Sequence, residues 1–480
     1  MRKRERRQPQ FIEKVEIIDA GAEGMAIAKP DQKVVFVPFG APGDIVDLQV
    51  IKRKKNFFEG KILHIHHYSE ERTEPACSHF GHCGGCKWQH IAYEHQLVYK
   101  QKQVKDNFDR IGKFPYPDLK PIIGSPNQFY YRNKLEFTFS NRRWFVDGKQ
   151  TEDTEEVNKN ALGFHLPGMF DRILDIDKCF LQAEPSNRIR LAIKEFTNEK
   201  DYSYYDARNH EGLLRNLLIR NTIDGQVLVI LVVSQEDERV ETELLPFIAN
   251  CFPEITSLMW VVNPKKNDQI FDLEIKLYKG VPYITESMKA PVEGQPDLTF
   301  RIGPGSFYQT NATQAAVLYK TAFDFAAFTG EELVFDLYTG TGTIANYIAR
   351  SVKKVVGIEY VEEAILDAES NALLNGISNT SFIAGDIAAV LNDEFVNFNG
   401  QPDVIITDPP RAGMHPKVVE QLMKIKAEKL VYVSCNPATQ ARDIALLSET
   451  YDVQEVQPVD MFPQTHHVEN VVLLCLKKQD

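Results

Sequence analysis

The 480-residue sequence lacks any long hydrophobic run. Its longest purely apolar segments, such as Val227 to Val233, fall far short of the roughly 20 residues that a membrane-spanning helix needs. The basic start, MRKRERRQPQ, is not followed by an apolar segment, so we expect neither a signal peptide nor a membrane partner. With 43% hydrophobic and 25% charged residues, the chain has the composition of a globular protein of several domains.

Cysteine is scarce, and its number is odd. The seven cysteines are widely scattered except for one group between Cys77 and Cys86. This distribution argues against a disulfide framework and favours a reducing compartment, so we predict a cytoplasmic protein.

An excess of positive charge is also absent. Lys and Arg number 55 against 67 Asp and Glu, a net charge of −12 that makes the whole chain a poor candidate for binding nucleic acid. Residues 1–67 differ, because their 13 basic and 9 acidic residues give +4 and leave −16 for the remainder. Two basic runs, Arg2 to Arg7 and Lys52 to Lys55, frame short alternating segments typical of a small β-barrel. One run alone fits a solvated edge or tail equally well, whereas two favour an RNA-phosphate surface.

Hydrophobic periodicity divides the chain into three predicted domains. Residues 1–67 form the barrel, residues 68–306 a central, mainly β domain, and residues 307–480 a doubly wound α/β domain in which strands alternate with helices. Apolar positions, among them Val98 and Ile111, predict a long amphipathic helix over about residues 89–114. Residues 148–160 are expected to form an exposed polar loop.

A glycine-rich turn joins the first strand of the α/β domain to a helix. This turn, Asp336 to Thr343, allows close backbone approach to a ligand, and Glu359 ends the next strand, where a carboxylate can bind both hydroxyls of a ribose. A structural turn or a nicotinamide dinucleotide site would also fit these residues. The segment TDPPR at residues 407–411 decides between them, because its acidic-Pro-Pro loop resembles that of methyltransferases that use S-adenosylmethionine.

Cys435 lies in the segment VSCNP at the end of the next strand. A strand-end cysteine is more often an inert buried residue, but beside a methyl-donor site its thiolate can attack C6 of uracil and make C5 nucleophilic. A base must then remove the C5 proton. Glu469 in FPQTHHVEN is the preferred candidate, because burial can raise a carboxylate pKa towards neutrality, whereas a His would be partly protonated. His466 or His467 could instead orient the substrate, and a solvated polar run is the structural alternative.

The cysteine group has the spacing Cys77-x5-Cys83-x2-Cys86. Three cysteines at this range indicate a metal site, whose fourth ligand we expect to be Cys179, since Cys251 and Cys475 lie in apolar contexts. The spacing allows either a structural zinc ion or an iron–sulfur cluster, and on general grounds slightly favours zinc.

Together these motifs resemble those of the RNA 5-methyluridine methyltransferase family, specifically its cluster-containing 23S ribosomal RNA branch. The resemblance spans nearly the whole chain and rests on DLYTGTGT, TDPPR, SCNP, FPQTHHVE and the segment GSFYQTN at residues 305–311. It implies that Cys435 is the nucleophile and Glu469 the base. It also implies an S-adenosylmethionine site made by six residues: Gln309, Tyr338, Thr343, Glu359, Asp386 and Asp408. Two of them depart from the family pattern, which commonly has Phe at Tyr338 and Asn at Thr343.

The resemblance further implies a [4Fe–4S] cluster rather than zinc at the four cysteines, which are Cys77, Cys83, Cys86 and Cys179. It implies an RNA-binding TRAM barrel at the N-terminus, and a helix over residues 89–114 that packs on the catalytic domain. In YRNK, residues 131–134, it places Arg132 on the substrate side. The expected substrate is a uridine in 23S rRNA, with a tRNA uridine as the alternative. Two other classes of function are considered: a non-catalytic RNA-binding assembly factor, and an enzyme that acts on DNA cytosine or on a small molecule. The basic barrel argues against the enzyme acting on DNA cytosine or a small molecule.

Overall fold

The computed structural model describes residues 10–146 and 158–478. The basic run Arg2 to Arg7 and most of the predicted loop at residues 148–160 therefore lie outside the described residues. No helix within these two ranges is both long enough and apolar enough to cross a membrane.

Five strands form a closed N-terminal barrel: β1 (Gln10–Ala20), β2 (Ala26–Ala28), β3 (Val34–Val37), β4 (Ile45–Arg53) and β5 (Phe57–His67). Their order is β1-β2-β3-β5-β4, with β3 parallel to β5 and the other pairs antiparallel. Alternate side chains such as Val46 and Leu48 fill the interior, as the period of two in a strand requires. The predicted barrel is confirmed. The basic run Lys52 to Lys55 is exposed around the end of β4, where the Lys52 ammonium lies 2.6 Å from Glu59.

A long helix, α1 (Tyr93–Asn107), follows the cysteine group and continues as a π-helical turn to Gly112. Five of its side chains are buried: Gln96, Lys100, Val104 and Phe108 at an i, i+4 spacing, and Tyr99 beside them. Val104 and Phe108 pack into the core of the C-terminal sheet. Val98 and Ile111, which the apolar pattern assigns to the same stripe, are exposed. The prediction of the stripe was wrong at these two positions because two polar side chains, Gln96 and Lys100, occupy part of the buried face.

Eight strands build the central sheet: β6 (Lys134–Ser140), β7 (Arg143–Trp144), β8 (Ala161–Leu166), β9 (Met169–Asp175), β10 (Leu214–Asn221), β11 (Val227–Val233), β12 (Ile255–Val262) and β13 (Ile275–Gly280). Their order is β13-β12-β11-β10-β6-β8-β9-β7. Two helices, α2 (Ser186–Glu199) and α3 (Leu245–Cys251), cover one face, and the other face packs towards the C-terminal domain. Because β11 is buried on both faces, its sequence VLVILVV shows no polar alternation.

The C-terminal part begins with a hairpin of β14 (Ile284–Met288) and β15 (Leu298–Ile302), followed by α4 (Ala312–Ala326). Seven further strands form one sheet: β16 (Leu333–Leu337), β17 (Lys354–Glu359), β18 (Thr380–Ala384), β19 (Val404–Thr407), β20 (Lys429–Ser434), β21 (Tyr451–Val459) and β22 (Glu469–Leu476). The helices between them are α5 (Thr343–Ile348), α6 (Glu362–Leu374), α7 (Ile387–Val390), α8 (Asp393–Asn399), α9 (Pro416–Ile425) and α10 (Pro437–Leu447).

The order of this sheet is β18-β17-β16-β19-β20-β22-β21. Strands β16 to β20 are parallel, and β22 inserts antiparallel between β20 and β21. The predicted doubly wound, mostly parallel sheet is therefore confirmed.

A buried ion pair ties α1 to the segment that precedes β22. The Lys100 ammonium lies 2.6 Å from Asp460 Oδ1, and both side chains are fully buried. The Tyr93 hydroxyl donates to Asp460 Oδ2 at 2.7 Å, and Lys100 also donates to the Phe462 carbonyl at 3.0 Å. Burial lowers the pKa of Lys100, and the charge of Asp460 opposes that shift.

Substitution of Asp460 tests this connection. Asp460→Ala leaves the Lys100 ammonium buried without its counter-charge, so we expect the free energy of unfolding to fall by about 3–5 kcal/mol, measured as a shift in the denaturant midpoint. The control is Asp324→Ala in the exposed pair Lys320–Asp324 on α4, where a loss of less than about 1 kcal/mol is expected. Equal effects of the two substitutions would contradict the role of the buried pair.

Candidate active site

Four of the predicted cofactor residues lie where the parallel strands end. Tyr338 directly follows β16, Glu359 ends β17, Asp386 comes two residues after β18, and Asp408 directly follows β19. The carboxyl ends of parallel strands meet at one edge of a sheet, which is where such sheets bind ligands. Burial, together with charges that include those of Asp386 and Glu359, raises the pKa of Tyr338 to about 12. The structure therefore brings these residues together.

The glycine-rich turn is organised by Asp336 at the end of β16. Its Oδ2 accepts hydrogen bonds from the Thr339 hydroxyl at 2.5 Å and from the Ala345 amide at 3.1 Å. Its Oδ1 is buried without a hydrogen-bond partner among the described residues. Burial raises the pKa of Asp336 to about 7. Gly342 has a φ of +71°, and a Cβ there would lie 2.7 Å from that of Ala368, so only glycine fits.

Glu359 has a structural role in addition to the predicted one. One carboxylate oxygen accepts from the Gly340 amide and the other from the Val361 amide, each at 3.0 Å. These bonds fix the carboxylate beside the glycine-rich turn. Because each oxygen has a second lone pair, contact with ribose hydroxyls stays a prediction.

Thr343 and Gln309 lie on two sides of this region. Thr343 is the first residue of α5, and its hydroxyl is 3.3 Å from that of Tyr319 on α4. Burial raises the pKa of Tyr319, and three carboxyl groups of the site contribute: Asp408, Asp336 and Glu469. The Gln309 carbonyl accepts from the Asn133 side chain at 3.0 Å. Tyr319 was not predicted, because in the sequence it belongs to the apolar face of a helix.

Cys435 and Glu469 face each other across β20 and β22. Ser434 pairs with Asn470 in this antiparallel ladder, so the next residues, Cys435 and Glu469, are opposite each other. Glu469 is 4% exposed, and burial with the nearby charge of Asp408 raises its pKa to about 8. Burial, Glu469 and Asp408 raise the pKa of Cys435 to about 11. Burial and the charge of Asp336 raise the pKa of Asp408 to about 7.

Arg411 brings a positive charge to these groups. Its carbonyl accepts from the side chains of Asn436 at 2.9 Å and Thr439 at 3.2 Å, which holds the loop after β19 against the start of α10. The guanidinium opposes the rise in the pKa of both Cys435 and Glu469. It is the one basic group that acts on both of them in this way among the described residues.

His466 and His467 lie side by side, with ring centroids 4.1 Å apart. Burial is the main cause that lowers the pKa of His466 to about 3 and that of His467 to about 4. Burial therefore favours the neutral form of both rings. Glu469 remains the preferred base because it, and not a histidine, faces Cys435 across the sheet.

The catalytic loop, defined here as residues 460–469, is clamped by Gln96 of α1. The Gln96 side-chain amide donates to Gln464 Oε1 and accepts from the Gln464 amide, both at 3.0 Å. The amides of Lys87 and Trp88, next to the cysteine group, donate to the Gln464 carbonyl at 2.8 and 3.0 Å. The Tyr131 hydroxyl donates to the Pro463 carbonyl at 2.9 Å. Sequence patterns did not indicate Gln96, since a polar residue in an amphipathic helix is usually exposed.

The four predicted metal ligands, Cys77, Cys83, Cys86 and Cys179, are all free thiols in one region. Cys86 and Cys179 contact one apolar cluster with Tyr131 and Leu181. Burial, and then the charges of the other three cysteines, raise the pKa of Cys86 to about 12. Within residues 10–146 and 158–478, however, no three His, Cys, Asp or Glu side chains are arranged to hold a metal ion. The metal site stays a prediction. Cys251 is exposed, so its expected apolar surroundings were wrong.

Comparison with known proteins decides the family. Residues 274–478 match the model of the tRNA (uracil-5-)-methyltransferases, and residues 12–63 match the TRAM domain. A protein described as an RNA methyltransferase in Bacteroides thetaiotaomicron is 53% identical over 459 residues, which covers 95% of this chain and 100% of the relative. A counterpart in Porphyromonas gingivalis is 51% identical and covers 96% and 99%. The chain belongs to the RNA (uracil-5-)-methyltransferase family.

A solved member of the RNA (uracil-5-)-methyltransferase family has the same architecture. The crystal structure of the Pyrococcus abyssi tRNA (uracil-54, C5)-methyltransferase, in complex with S-adenosyl-L-homocysteine, matches with a TM-score of 0.73 and 28% identity. The match covers 96% of this chain and 100% of that one. The resemblance to the family and the TRAM barrel are therefore confirmed, whereas the 23S ribosomal RNA branch stays a prediction.

The pKa of Glu469 predicts a pH dependence of stability. Because its pKa in the folded protein is about 8, above the ordinary 4.5, its contribution to stability is complete below about pH 4.5 and is lost as the pH rises through about 8. Glu469→Gln stays neutral and should therefore gain thermal stability relative to wild type between about pH 5 and about pH 9. Glu420→Gln, at an exposed position of α9, should show a constant difference. A pH-independent difference for Glu469→Gln would disprove the raised pKa.

Proposed function

We propose that the protein methylates C5 of a uridine in RNA through a covalent bond between Cys435 and C6. The observation that carries this proposal is the position of Cys435 opposite Glu469, beside Asp408, at the edge where a methyl donor would bind. C5 of uracil is a poor nucleophile, and its methylation needs a thiol to add to the ring and a base to remove a proton. The site offers both groups.

S-adenosylmethionine would supply an electrophilic methyl group at this edge. The residues present fit it, because the unpartnered Oδ1 of Asp336 is free to accept a hydrogen bond and Gly340 leaves open space beside the turn. We assign its contacts to the residues implied by the family: Gln309, Tyr338, Thr343, Glu359, Asp386 and Asp408. The carboxylates among them would balance the positive charge of a sulfonium.

The side chains of the chain account for the remaining steps. Cys435 Sγ loses its proton to solvent and bonds to C6 of the uracil, which places negative charge on the ring. C5 would then take the methyl group of the sulfonium, whose sulfur–methyl bond breaks to leave a neutral thioether. Glu469 then takes the proton from C5, the C5–C6 double bond forms again, and the Sγ–C6 bond breaks. Arg411 favours the thiolate, since its charge lowers the pKa of Cys435 against the larger effect of burial. A pKa near neutrality suits Glu469 as the base.

The proposed substrate is 23S rRNA, which the cysteine group supports through the branch it resembles. A tRNA uridine is the second candidate, favoured by the similarity to the Pyrococcus abyssi tRNA enzyme. We assign RNA binding to the barrel, residues 1–67, support of the substrate and of a cluster to residues 68–306, and methyl transfer to residues 307–480.

Incubation of the protein with S-adenosylmethionine and unmodified total RNA tests this function. We expect 5-methyluridine in one RNA, located by oligonucleotide mass spectrometry, and absence of methylation in both 23S rRNA and tRNA would contradict the proposal. Cys435→Ala should abolish the product and retain cofactor binding, because the thiol contacts only the uracil. Glu469→Gln should instead accumulate a covalent protein–RNA species that resists denaturing electrophoresis. Free turnover by Glu469→Gln would refute the assigned base.

We also propose that Cys77, Cys83, Cys86 and Cys179 hold a [4Fe–4S] cluster with a structural role, because methyl transfer involves no redox step. Wild-type protein purified without oxygen should be brown, with absorption at about 400 nm. The Cys83→Ser variant should lose both this colour and its iron. Cys251→Ser, at an exposed cysteine, should keep both. A colourless wild-type protein that contains zinc would disprove the cluster and support the zinc alternative.

A further inference from the structure

Three basic side chains near the catalytic loop form no ion pair with a carboxylate among the described residues: Lys87, Arg132 and Lys178. Other exposed cations, such as Lys424 of α9, also form no ion pair among the described residues, so the absence of a carboxylate is not a signal by itself. Cations grouped beside aromatic rings in a protein of net charge −12 suit a polyanion that supplies the missing negative charge. Lys178 lies next to the exposed ring of Tyr130 and the half-buried ring of Phe180, which adds a second kind of contact.

An aromatic platform, defined here as Tyr130, Lys178 and Phe180, surrounds one of these cations. The rings of Tyr130 and Phe180 have centroids 6.1 Å apart, and the Lys178 ammonium lies 4.8 Å from the Phe180 ring and 5.8 Å from the Tyr130 ring. Tyr130 is 45% exposed, although a tyrosine buries readily. Aromatic rings beside an unpaired cation offer a base one face for stacking and its phosphate a positive charge.

The platform is fixed relative to the catalytic loop by backbone hydrogen bonds. The Tyr130 amide donates to the Phe180 carbonyl and the Arg132 amide to the Leu181 carbonyl, both at 2.8 Å. Between them, Tyr131 turns inward and bonds the Pro463 carbonyl of the catalytic loop. Tyr130 holds a left-handed φ of +56°, which costs free energy in a non-glycine residue. Its ring thus stays outside while its neighbour contacts the loop.

Arg132 connects the platform to the site of reaction. Its side chain donates to the Lys134 carbonyl at 3.0 Å, and its charge is among those that lower the pKa of His467, after the effect of burial. Three successive residues therefore supply an aromatic ring, an anchor to the catalytic loop and a cation whose charge acts on His467 of that loop. This order suits an RNA strand that leaves the catalytic pocket after its target base has been turned out of the stack.

We propose that the platform of Tyr130, Lys178 and Phe180 binds single-stranded RNA, stacking a base that flanks the target uridine. This inference rests on the proposed function, since it takes RNA as the substrate. It assigns the flanking nucleotide to aromatic stacking on the central domain, in addition to phosphate binding by the barrel. Stacking of this kind tolerates any base, because every base has a π-face.

Binding of a fluorescein-labelled oligouridine, followed by anisotropy, tests the platform without relying on methylation. Tyr130→Ala should weaken binding by about 5- to 100-fold, whereas Tyr130→Phe should keep the wild-type affinity because it retains the ring. Lys178→Gln should reduce the slope of log K against log salt by about 0.7, the value for one phosphate of a single strand. Affinity for S-adenosylmethionine should be unchanged in all three variants.

Matched controls lie on the far helices. Phe398→Ala removes an aromatic ring of α8 that is 88% exposed, and Lys424→Gln removes an exposed cation of α9, and both should bind as wild type. The proposal would be overturned if Tyr130→Ala binds oligouridine with the same affinity as Phe398→Ala. If Tyr130→Ala fails to fold, Lys178→Glu at its exposed position decides in the same way. Failure of the wild type to methylate RNA, with the binding differences intact, would contradict the proposed function and leave the platform supported.

Discussion

The antiparallel insertion of β22 beside β20 is the constraint on which the active site depends. It brings a residue from the end of the chain, Glu469, opposite Cys435. A shift of one residue in this ladder would turn every side chain of β22 to the other face of the sheet. Both faces of β22 are buried, with Val471 and Leu473 in one core and Val472 and Leu474 in the other, so apolar burial alone does not set the register. The ladder starts at the required residue because the loop before it is held in place by α1, through the Lys100–Asp460 ion pair and the paired amides of Gln96 and Gln464.

Electrostatic crowding is the second property of the site. Asp336, Asp408 and Glu469 are close enough that neighbouring carboxyl charges raise the pKa of the latter two, in addition to burial. Three carboxyl groups in this arrangement destabilise the protein without ligand, because ionisation of one of them makes ionisation of its neighbours less favourable. A positive charge placed among them would relieve that repulsion. The crowding thus favours binding of a cation over stability of the unliganded fold, as is common at functional sites.

The negative net charge of the whole chain conceals two local basic surfaces. The barrel carries an exposed basic turn, and the region around the catalytic loop carries cations without carboxylate partners. Trp88, beside the cysteine group, donates to the Gly24 carbonyl of the barrel, so these surfaces belong to connected parts of the molecule. The rest of the molecule is acidic and repels polyanions that do not reach both surfaces. This repulsion favours binding of selected nucleic acids over binding of any nucleic acid.

Local patterns in the sequence were sufficient for the alternation of strands and helices, the barrel, the glycine-rich turn and the residues at strand ends, because each of these depends on neighbours within a few positions. They were not sufficient for Tyr319, Gln96 or the platform around Tyr130, and they misplaced Val98 and Ile111. These positions are decided by partners hundreds of residues away or on other elements, such as Gln464 for Gln96. The periodicity of apolar residues predicts whether a side chain lies at the surface or in the core. Hydrogen bonds and charges between distant parts of the fold decide which face of a helix is buried and on which side an aromatic ring lies. The sequence by itself therefore determined the family, and only the tertiary structure decided how the side chains at the strand ends are held together.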